Sequence, residues 1–144
     1  MNHAAQPSGA QRPTIAVVVV NYNYARYVGA AIESVLAQSD PFDEVIVVDD
    51  GSTDASLEVI GRYADRVSLV AKANGGQLTA TLAGLARSRA DYVYVLDADD
   101  LAEPDLVAKV RPALAAAPAK VQWRLTGIDG DGEPLMSTFP TYPP

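Results

Sequence analysis

Residues 15–23 read IAVVVVNYN, an apolar run that ends abruptly in polar side chains. Five of the first six residues are β-branched, and the run lacks the polar–apolar alternation of a strand with one face in water. It therefore predicts a strand that is buried on both faces, as in a parallel sheet covered by helices. The polar end of the run, Asn21-Tyr22-Asn23, predicts hydrogen-bonding groups at the carboxyl edge of that sheet, where ligands of such folds bind.

Outward from this stretch, apolar strand patterns alternate with helical patterns. Further strands are predicted at residues 45–48, 67–71 and 92–96. Apolar residues at helical spacing predict four helices. The first covers about residues 25–38, and the second follows Asp54. The third carries Leu78, Leu82 and Leu85, and the fourth follows Pro104. The alternation indicates an α/β fold: an open, mostly parallel, Rossmann-like sheet with right-handed crossovers and helices on both faces.

Composition narrows the function classes. The chain has 144 residues, no Cys and a formal net charge of −7, a balance that disfavours binding to a nucleic-acid backbone. Without Cys there is no thiolate metal site or redox centre. No apolar run reaches the roughly 18 residues of a membrane span, and no signal-peptide pattern is present. We therefore expect a cytoplasmic protein without a transmembrane segment.

The same patterns predict three parts of the chain. Residues 1–13, which include the single His3, are expected to be a disordered leader, and residues 14–126 the α/β domain. Residues 127–144 are expected to be an irregular, Pro-rich tail. Within this tail, Asp129-Gly130-Asp131-Gly132 predicts a turn.

Acidic side chains collect at the ends of two predicted strands. Asp49 and Asp50 follow the second strand, and Asp97, Asp99 and Asp100 follow the fourth. Because the carboxyl ends of parallel strands share one edge, we expect these five carboxylates to converge and to repel one another unless something neutralises them. Mn²⁺ or Mg²⁺ is the simplest such partner. The basic residues available nearby are Arg26, Lys72, Arg87 and Arg89.

Each motif also has a purely structural interpretation. Asp49-Asp50-Gly51-Ser52 fits a turn with a helix cap as well as it fits a binding loop. Asn74-Gly75-Gly76 is first of all a turn, because it lacks the lysine and the glycine spacing of common phosphate-binding loops. Asp97-Ala98-Asp99-Asp100 is different, since three carboxylates in four residues make a poor turn. This motif favours a functional role.

In their order along the chain, VVVVNYN at 17–23, VVDDGSTD at 47–54, NGGQ at 74–77 and LDADD at 96–100 resemble the family 2 glycosyltransferases of the GT-A fold. The resemblance covers about residues 14–117. It implies a sheet that binds a nucleoside-diphosphate sugar, with UDP-sugars favoured. It also implies transfer of the sugar, with inversion, to a saccharide or lipid-linked acceptor. A lipid-linked acceptor would place the reaction at the inner face of a membrane.

The resemblance implies a role for individual residues. Asp49 or Asp50 would accept a hydrogen bond from the nucleotide base. Asp97 and Asp99 would form the DxD pair that holds Mn²⁺ or Mg²⁺ against the diphosphate, a role that Asp100 would share. The remaining donor contacts that it implies are Asn21 and Tyr22 around the base and ribose, together with Asn23, Gly75 and Ala98.

Two departures from the family pattern bear on activity. Thr81 and Leu82 stand where many relatives carry an Arg or Asn that approaches the donor. Only residues 101–144 follow the acidic motif, whereas inverting relatives place their catalytic Asp well downstream. We therefore expect the catalytic base to lie outside this chain. The 144 residues would then be the donor-binding part of a larger enzyme, with its truncation point in the tail.

Two other functions compete with this interpretation. A binding-only module would keep the nucleotide pocket without turnover. A haloacid-dehalogenase-like phosphatase also places a DxD pair after a buried strand. Its pattern continues with Thr or Val where this chain has Leu101, and it normally opens the domain, whereas Asp97 ends the fourth strand. A phosphoacceptor receiver domain fits worse, because it needs an acidic pair after the first strand.

Overall fold

The computed structural model describes residues 12–122 and 125–139. Strands and helices alternate up to residue 114, and a hairpin follows. The strands are β1 Ile15–Asn21, β2 Glu44–Asp49, β3 Ser68–Ala71, β4 Tyr92–Asp97, β5 Leu125–Ile128 and β6 Pro134–Phe139. The helices are α1 Val28–Leu36, α2 Ser56–Gly61, α3 Gln77–Arg87 and α4 Leu106–Leu114.

Strands β1 to β4 form one parallel sheet in the order β3-β2-β1-β4. In its register, Val18 of β1 lies between Ile46 of β2 and Val95 of β4. The chain first runs from β1 to β2 and β3, and β4 then returns to the opposite side of β1. Open parallel sheets bind ligands beyond the carboxyl ends of their strands at such a reversal. The predicted α/β class and parallel sheet are confirmed.

Strand β1 is buried on both faces, as its β-branched run predicts. Val17 and Val19 pack in the cluster that includes residues of α1, α2 and α4. Val18 and Val20 pack in the opposite cluster, which includes Ala80 of α3. None of the four valines exposes more than 8% of its surface. The central strand therefore holds both layers of helices and fixes the edge at which the polar residues emerge.

Helix α3 meets the sheet through small residues. It approaches β1 so closely that a Cβ added at Gly84 would lie 2.3 Å from Cγ1 of Val18. Ala80 is fully buried beside this contact. Leu78, Leu82 and Leu85, whose spacing predicted α3, point away from the sheet. Their exposed fractions are 71%, 54% and 40%. Helical spacing correctly predicted the helix, but it could not show that the small residues form the contact.

Residues 125–139 correct the prediction of an irregular tail. β5 and β6 pair antiparallel around a turn in which Asp129 N donates to Glu133 O at 2.9 Å. The predicted turn at residues 129–132 is confirmed, but the absence of regular structure was wrong for residues 127–128, which end β5, and for residues 134–139, which form β6. Pro134 did not prevent a strand, because it is the first residue of β6, where a missing N–H is tolerated.

Part of the predicted leader and tail lies outside the described residues. This applies to residues 1–11, with His3, and to residues 140–144. Among the helices of the described ranges, none has the length and apolar character needed to cross a bilayer.

Candidate functional site

The carboxyl ends of β1, β2 and β4 border an open cleft of about 430 Å³, which we call the edge cleft. This volume lies within the roughly 300–1,000 Å³ of typical small-molecule sites. The residues that line the edge cleft are Val20, Tyr22, Tyr24, Asp50, Asn74, Gly76, Gln77, Asp97, Ala98 and Asp99.

Asp50 anchors one wall of the edge cleft. Its carboxylate pairs with Nζ of Lys72 and accepts hydrogen bonds from Gly75 N at 3.1 Å and Gly76 N at 2.7 Å. The hydrogen bond from Lys72, aided by these backbone N–H groups, lowers the pKa of Asp50 in spite of its burial. The carboxylate is therefore ionised and holds the turn at residues 74–76. The prediction of Lys72 as a basic neighbour is confirmed.

Asn21 and Asp49 lie beneath the edge cleft and not in its wall. Asn21 Nδ2 donates to Asp49 Oδ1 at 2.8 Å, and Ser52 donates to the same carboxylate from its N at 3.0 Å and its Oγ at 2.6 Å. Asn21 and Asp49 expose 0% and 1% of their surfaces. The sequence predicted both as donor contacts; the structure places both side chains under the loops that they hold, and neither lines the edge cleft.

The two residues after Asn21, Tyr22 and Asn23, have different surroundings. Asn23 has a positive φ of 57°, and its Oδ1 accepts hydrogen bonds from Thr53 N at 2.7 Å and Asp54 N at 3.3 Å. It ties the loop after β1 to the loop after β2. Tyr22 exposes 44% of its surface and lines the edge cleft. Both residues are exposed, but of the two only Tyr22 lines the edge cleft.

Three residues of the acidic motif at the end of β4, Asp97, Ala98 and Asp99, also line the edge cleft. Gln77 Nε2 donates to Asp97 Oδ1 at 2.7 Å and orients that carboxylate. Ala98 N donates to Val20 O at 3.0 Å, so β1 fixes the backbone between the two acidic residues. Asp99 is exposed at the border of the cleft. Gln77 was not predicted as a site residue; its position directly after the glycine turn is the signal that could have identified it.

The end of β4 carries uncompensated negative charge. Burial raises the pKa of Asp100, and the charges of Asp99 and Asp97 add to this effect. Across residues 12–122 and 125–139, no Lys or Arg forms an ion pair with any of the three. In this same part of the chain, no group of three His, Asp or Glu residues is preassembled to hold a metal ion. The predicted three-carboxylate ligand set is therefore not preformed.

The five predicted carboxylates thus separate into three positions. Asp50, Asp97 and Asp99 border the edge cleft, and Asp49 is enclosed below it. Asp100 lines a neighbouring cleft on the other side of the acidic motif. Three of the five carboxylates therefore line the edge cleft, and Asp100 is close enough to Asp97 and Asp99 for their charges to raise its pKa. Asp49 is enclosed, because adjacent residues at a strand end project in different directions.

Known sequences resemble this chain over most of its length. The family model described as Glycosyl transferase family 2 matches residues 16–141. An uncharacterized glycosyltransferase of Nostoc sp. is 43% identical over 100 residues, which make up 67% of this chain and 31% of that protein. The chain spans about a third of the length of several such curated relatives.

Solved structures share the fold. TarS 1-349 of S. aureus in complex with UDP-GlcNAc superposes with a TM-score of 0.64 and 26% identity, over 72% of this chain and 31% of that chain. The mannosyltransferase PcManGT of Pyrobaculum calidifontis, in complex with GDP-Man and Mn²⁺, gives a TM-score of 0.62 and 26% identity, over 82% of this chain and 36% of that one.

Proposed function

This chain belongs to glycosyl transferase family 2, and from that premise we propose that its edge cleft binds a nucleoside-diphosphate sugar for transfer to an acceptor hydroxyl. The observation that carries the proposal is the position of Asp97 and Asp99, which line the same cleft as the buried carboxylate of Asp50. The nucleotide sugars bound by TarS and PcManGT support it.

Asp50 is the proposed partner of the nucleotide base. It is ionised and borders the edge cleft, so it can accept a hydrogen bond from a base N–H. The imide N–H of uracil is such a donor, and the UDP-GlcNAc bound by TarS supports a UDP-sugar. Tyr22 offers an exposed ring in the same cleft. Asn21 and Asp49 act below, by holding the loops that carry these two residues.

The proposed cation is Mn²⁺ or Mg²⁺, held by Asp97 and Asp99 with Asp100 in support. The residues fit such an ion, because carboxylates are the hard oxygen ligands it prefers and no basic side chain of the described ranges neutralises them. The Mn²⁺ in PcManGT supports this assignment. When bound, the cation would offset the negative charge that develops on the departing diphosphate. Gln77 contributes by orienting the Asp97 carboxylate.

The proposed acceptor is the hydroxyl of a saccharide or lipid-linked saccharide, attacked with inversion in the cytoplasm or at the inner face of a membrane. Inversion needs a general base, and we assign none to the described residues. Asp129 accepts hydrogen bonds from Asp131 N and Glu133 N at 2.9 and 3.0 Å, which commits its carboxylate to the hairpin turn. Donor hydrolysis or transfer by these 144 residues alone would overturn this part of the proposal.

A binding-only module is the second candidate. It is supported by the described residues 12–122 and 125–139, to which we assign no general base. Both candidates bind the donor, and neither predicts turnover by these 144 residues alone, because the first assigns them no general base. Release of UDP from a UDP-sugar in the presence of Mn²⁺ by a longer chain that supplies the base identifies an enzyme, and donor binding without release by that chain identifies a module.

A thermal-shift series tests donor binding. UDP, UDP-GlcNAc and GDP-Man are added with Mn²⁺ or with EDTA to wild type, Asp99→Ala and the control Asp65→Ala, which removes an exposed carboxylate from another part of the surface. A ligand at 100 times its Kd stabilises a protein by about 2.7 kcal/mol. We expect a rise of several degrees in Tm for wild type and Asp65→Ala, only with both nucleotide and Mn²⁺. Equal stabilisation of Asp99→Ala would refute the assignment.

A further inference from the structure

We propose that the outer face of α3 is a docking surface for a second copy of this chain, with the two α3 helices antiparallel. Leu78, Leu82 and Leu85, which we call the leucine stripe, are exposed and recur at positions i, i+4 and i+7. Residues at this spacing lie on one side of a helix. Among the helices within residues 12–122 and 125–139, only α3 carries more than one exposed large apolar side chain.

The leucine stripe does not hold α3 on the sheet. The helix packs through its other side, where Ala80 is buried and a Cβ added at Gly84 would lie within 3.1 Å of Val18 and Val48. The apolar surface of the three leucines therefore stays in water, which is unfavourable. Single exposed apolar side chains are ordinary on a protein surface, whereas a contiguous group of them marks an interaction site.

The leucine stripe is complementary to itself. Residues 76–86 include no charged side chain, so the helix surface around the stripe offers no ion pair to a charged partner. Leu82 lies in the middle of the stripe, four residues after Leu78 and three before Leu85. A two-fold axis near Leu82 would bring Leu78 of each copy beside Leu85 of the other. A symmetric dimer needs a patch that fits its own copy in this way, and the spacing is that of a coiled-coil seam.

The two ends of α3 carry opposite charge. Arg87 is in its last turn and Arg89 follows; both are exposed, and neither forms an ion pair within residues 12–122 and 125–139. At the other end, Gln77 contacts the Asp97 carboxylate at the edge cleft. An antiparallel pair brings the basic end of one α3 to the acidic end of the other, whereas a parallel pair brings like charges together.

This complementarity does not depend on free carboxylates in the edge cleft. A cation at Asp97 and Asp99 would offset their charge, but the diphosphate bound with it brings negative charge of its own. The acidic end of α3 is therefore negative whether the edge cleft is empty or filled. An anionic membrane surface fits less well, because it would repel this end. Helices that lie in such surfaces also carry several basic residues, whereas the only charged residue of α3 is Arg87.

Sedimentation velocity of the 144-residue chain tests the docking surface. Leu82→Glu places a carboxylate at the centre of the leucine stripe. The matched control is Leu57→Glu, at an exposed leucine of α2, which packs on the other face of the sheet. Because three leucines make a small interface, we expect wild type and Leu57→Glu to dimerise with a Kd of roughly 10–100 µM, measured up to about 1 mM protein. Leu82→Glu should dimerise at least tenfold more weakly and keep the wild-type unfolding transition.

Cross-linking with a short bismaleimide tests the orientation. The chain has no Cys, so each single-Cys variant has one reactive thiol. Leu82→Cys should cross-link to itself, and Leu78→Cys mixed with Leu85→Cys should give more dimer than either alone. Leu57→Cys measures random encounter. A wild type that stays monomeric throughout, dimerisation unaffected by Leu82→Glu, or no gain on mixing would overturn the inference. A monomer that floats with phosphatidylglycerol vesicles through the same leucines would also overturn it, since the partner would then be a membrane.

Discussion

Gln77 Nε2 donates a hydrogen bond to Asp97 Oδ1 at 2.7 Å, so the first residue of α3 orients the carboxylate that ends β4. The preceding residue, Gly76, donates its N–H to Asp50 at 2.7 Å. The glycine turn before α3 therefore contacts the acidic residues on both sides of the edge cleft. Its position links the proposed partner of the nucleotide base, Asp50, to Asp97, a proposed ligand of the cation.

Removal of this link should weaken nucleotide binding. In Gln77→Ala the Asp97 carboxylate loses its neutral donor, and a hydrogen bond of this kind contributes about 1 kcal/mol. We expect a roughly fivefold higher Kd for UDP with Mn²⁺, measured by calorimetry. Leu78→Ala is the control, because that side chain is adjacent and 71% exposed. Wild-type affinity in Gln77→Ala would show that Asp97 needs no such orientation.

The ion pair of Lys72 with Asp50 should stabilise the fold far more than a surface pair does. Asp50 exposes only 2% of its side chain, so Lys72→Met leaves a buried carboxylate without its cation, at a cost of about 1–3 kcal/mol. The comparison is Arg62→Met, which breaks an exposed i,i+4 pair with Glu58 and should cost less than about 0.5 kcal/mol. Urea unfolding at pH 7 measures both, and similar losses in the two variants would contradict the prediction.

The same carboxylate should make stability depend on pH. The Lys72 hydrogen bond lowers the pKa of Asp50 in the folded state, so the folded state binds this proton more weakly than the unfolded chain. The stabilisation is complete above the ordinary Asp pKa of about 4 and is lost as the pH falls below it. Asp50→Asn should therefore be less stable than wild type at pH 7. The two curves of unfolding free energy should converge toward pH 3; parallel curves would show that Asp50 does not titrate in this way.

Asp100 should have the opposite effect. Burial and the neighbouring carboxylates raise its pKa in the folded state, so its ionisation destabilises the fold as the pH rises through and above the ordinary Asp range. In EDTA at pH 7, Asp100→Asn should have a higher Tm than wild type. Its gain in Tm from UDP with Mn²⁺ should be smaller. Asp65→Asn, at an exposed position, controls for the loss of one charge, and a lower Tm for Asp100→Asn in EDTA would contradict the prediction.

The contact of α3 with β1 should tolerate no added methyl group. A Cβ at Gly84 would lie 2.3 Å from Val18 Cγ1 and 3.1 Å from Val48 Cγ2, so Gly84→Ala should destabilise the fold by about 1–3 kcal/mol. Gly61, in α2, has no atom within 4 Å of the same added group. Gly61→Ala should be neutral or stabilise by up to about 1 kcal/mol. Chemical unfolding distinguishes the two, and a stable Gly84→Ala would mean that the helix can move away from the sheet.

Local patterns in the sequence determined the α/β class and the edge that carries the site. The β-branched run of β1 does not alternate polar and apolar residues. Such a run fits a strand that is covered on both faces, because a strand with one face in water would alternate. Polar residues directly after β1, β2 and β4 had to meet at one edge, because parallel strands end on the same side of a sheet. The family resemblance of the acidic motifs followed from their order, and the match over residues 16–141 confirms it.

Only the tertiary structure decided which of these residues face a ligand. Asp49 and Asp50 are adjacent in sequence, yet Asp49 is enclosed by Asn21 and Ser52 while Asp50 borders the edge cleft. The leucines of α3 lie outside because a glycine contact places the helix against β1, and strand β6 exists through its pairing with β5. Each of these outcomes depends on contacts between residues far apart in the chain. Composition and periodicity describe local preferences, and such preferences do not specify which distant surfaces come together.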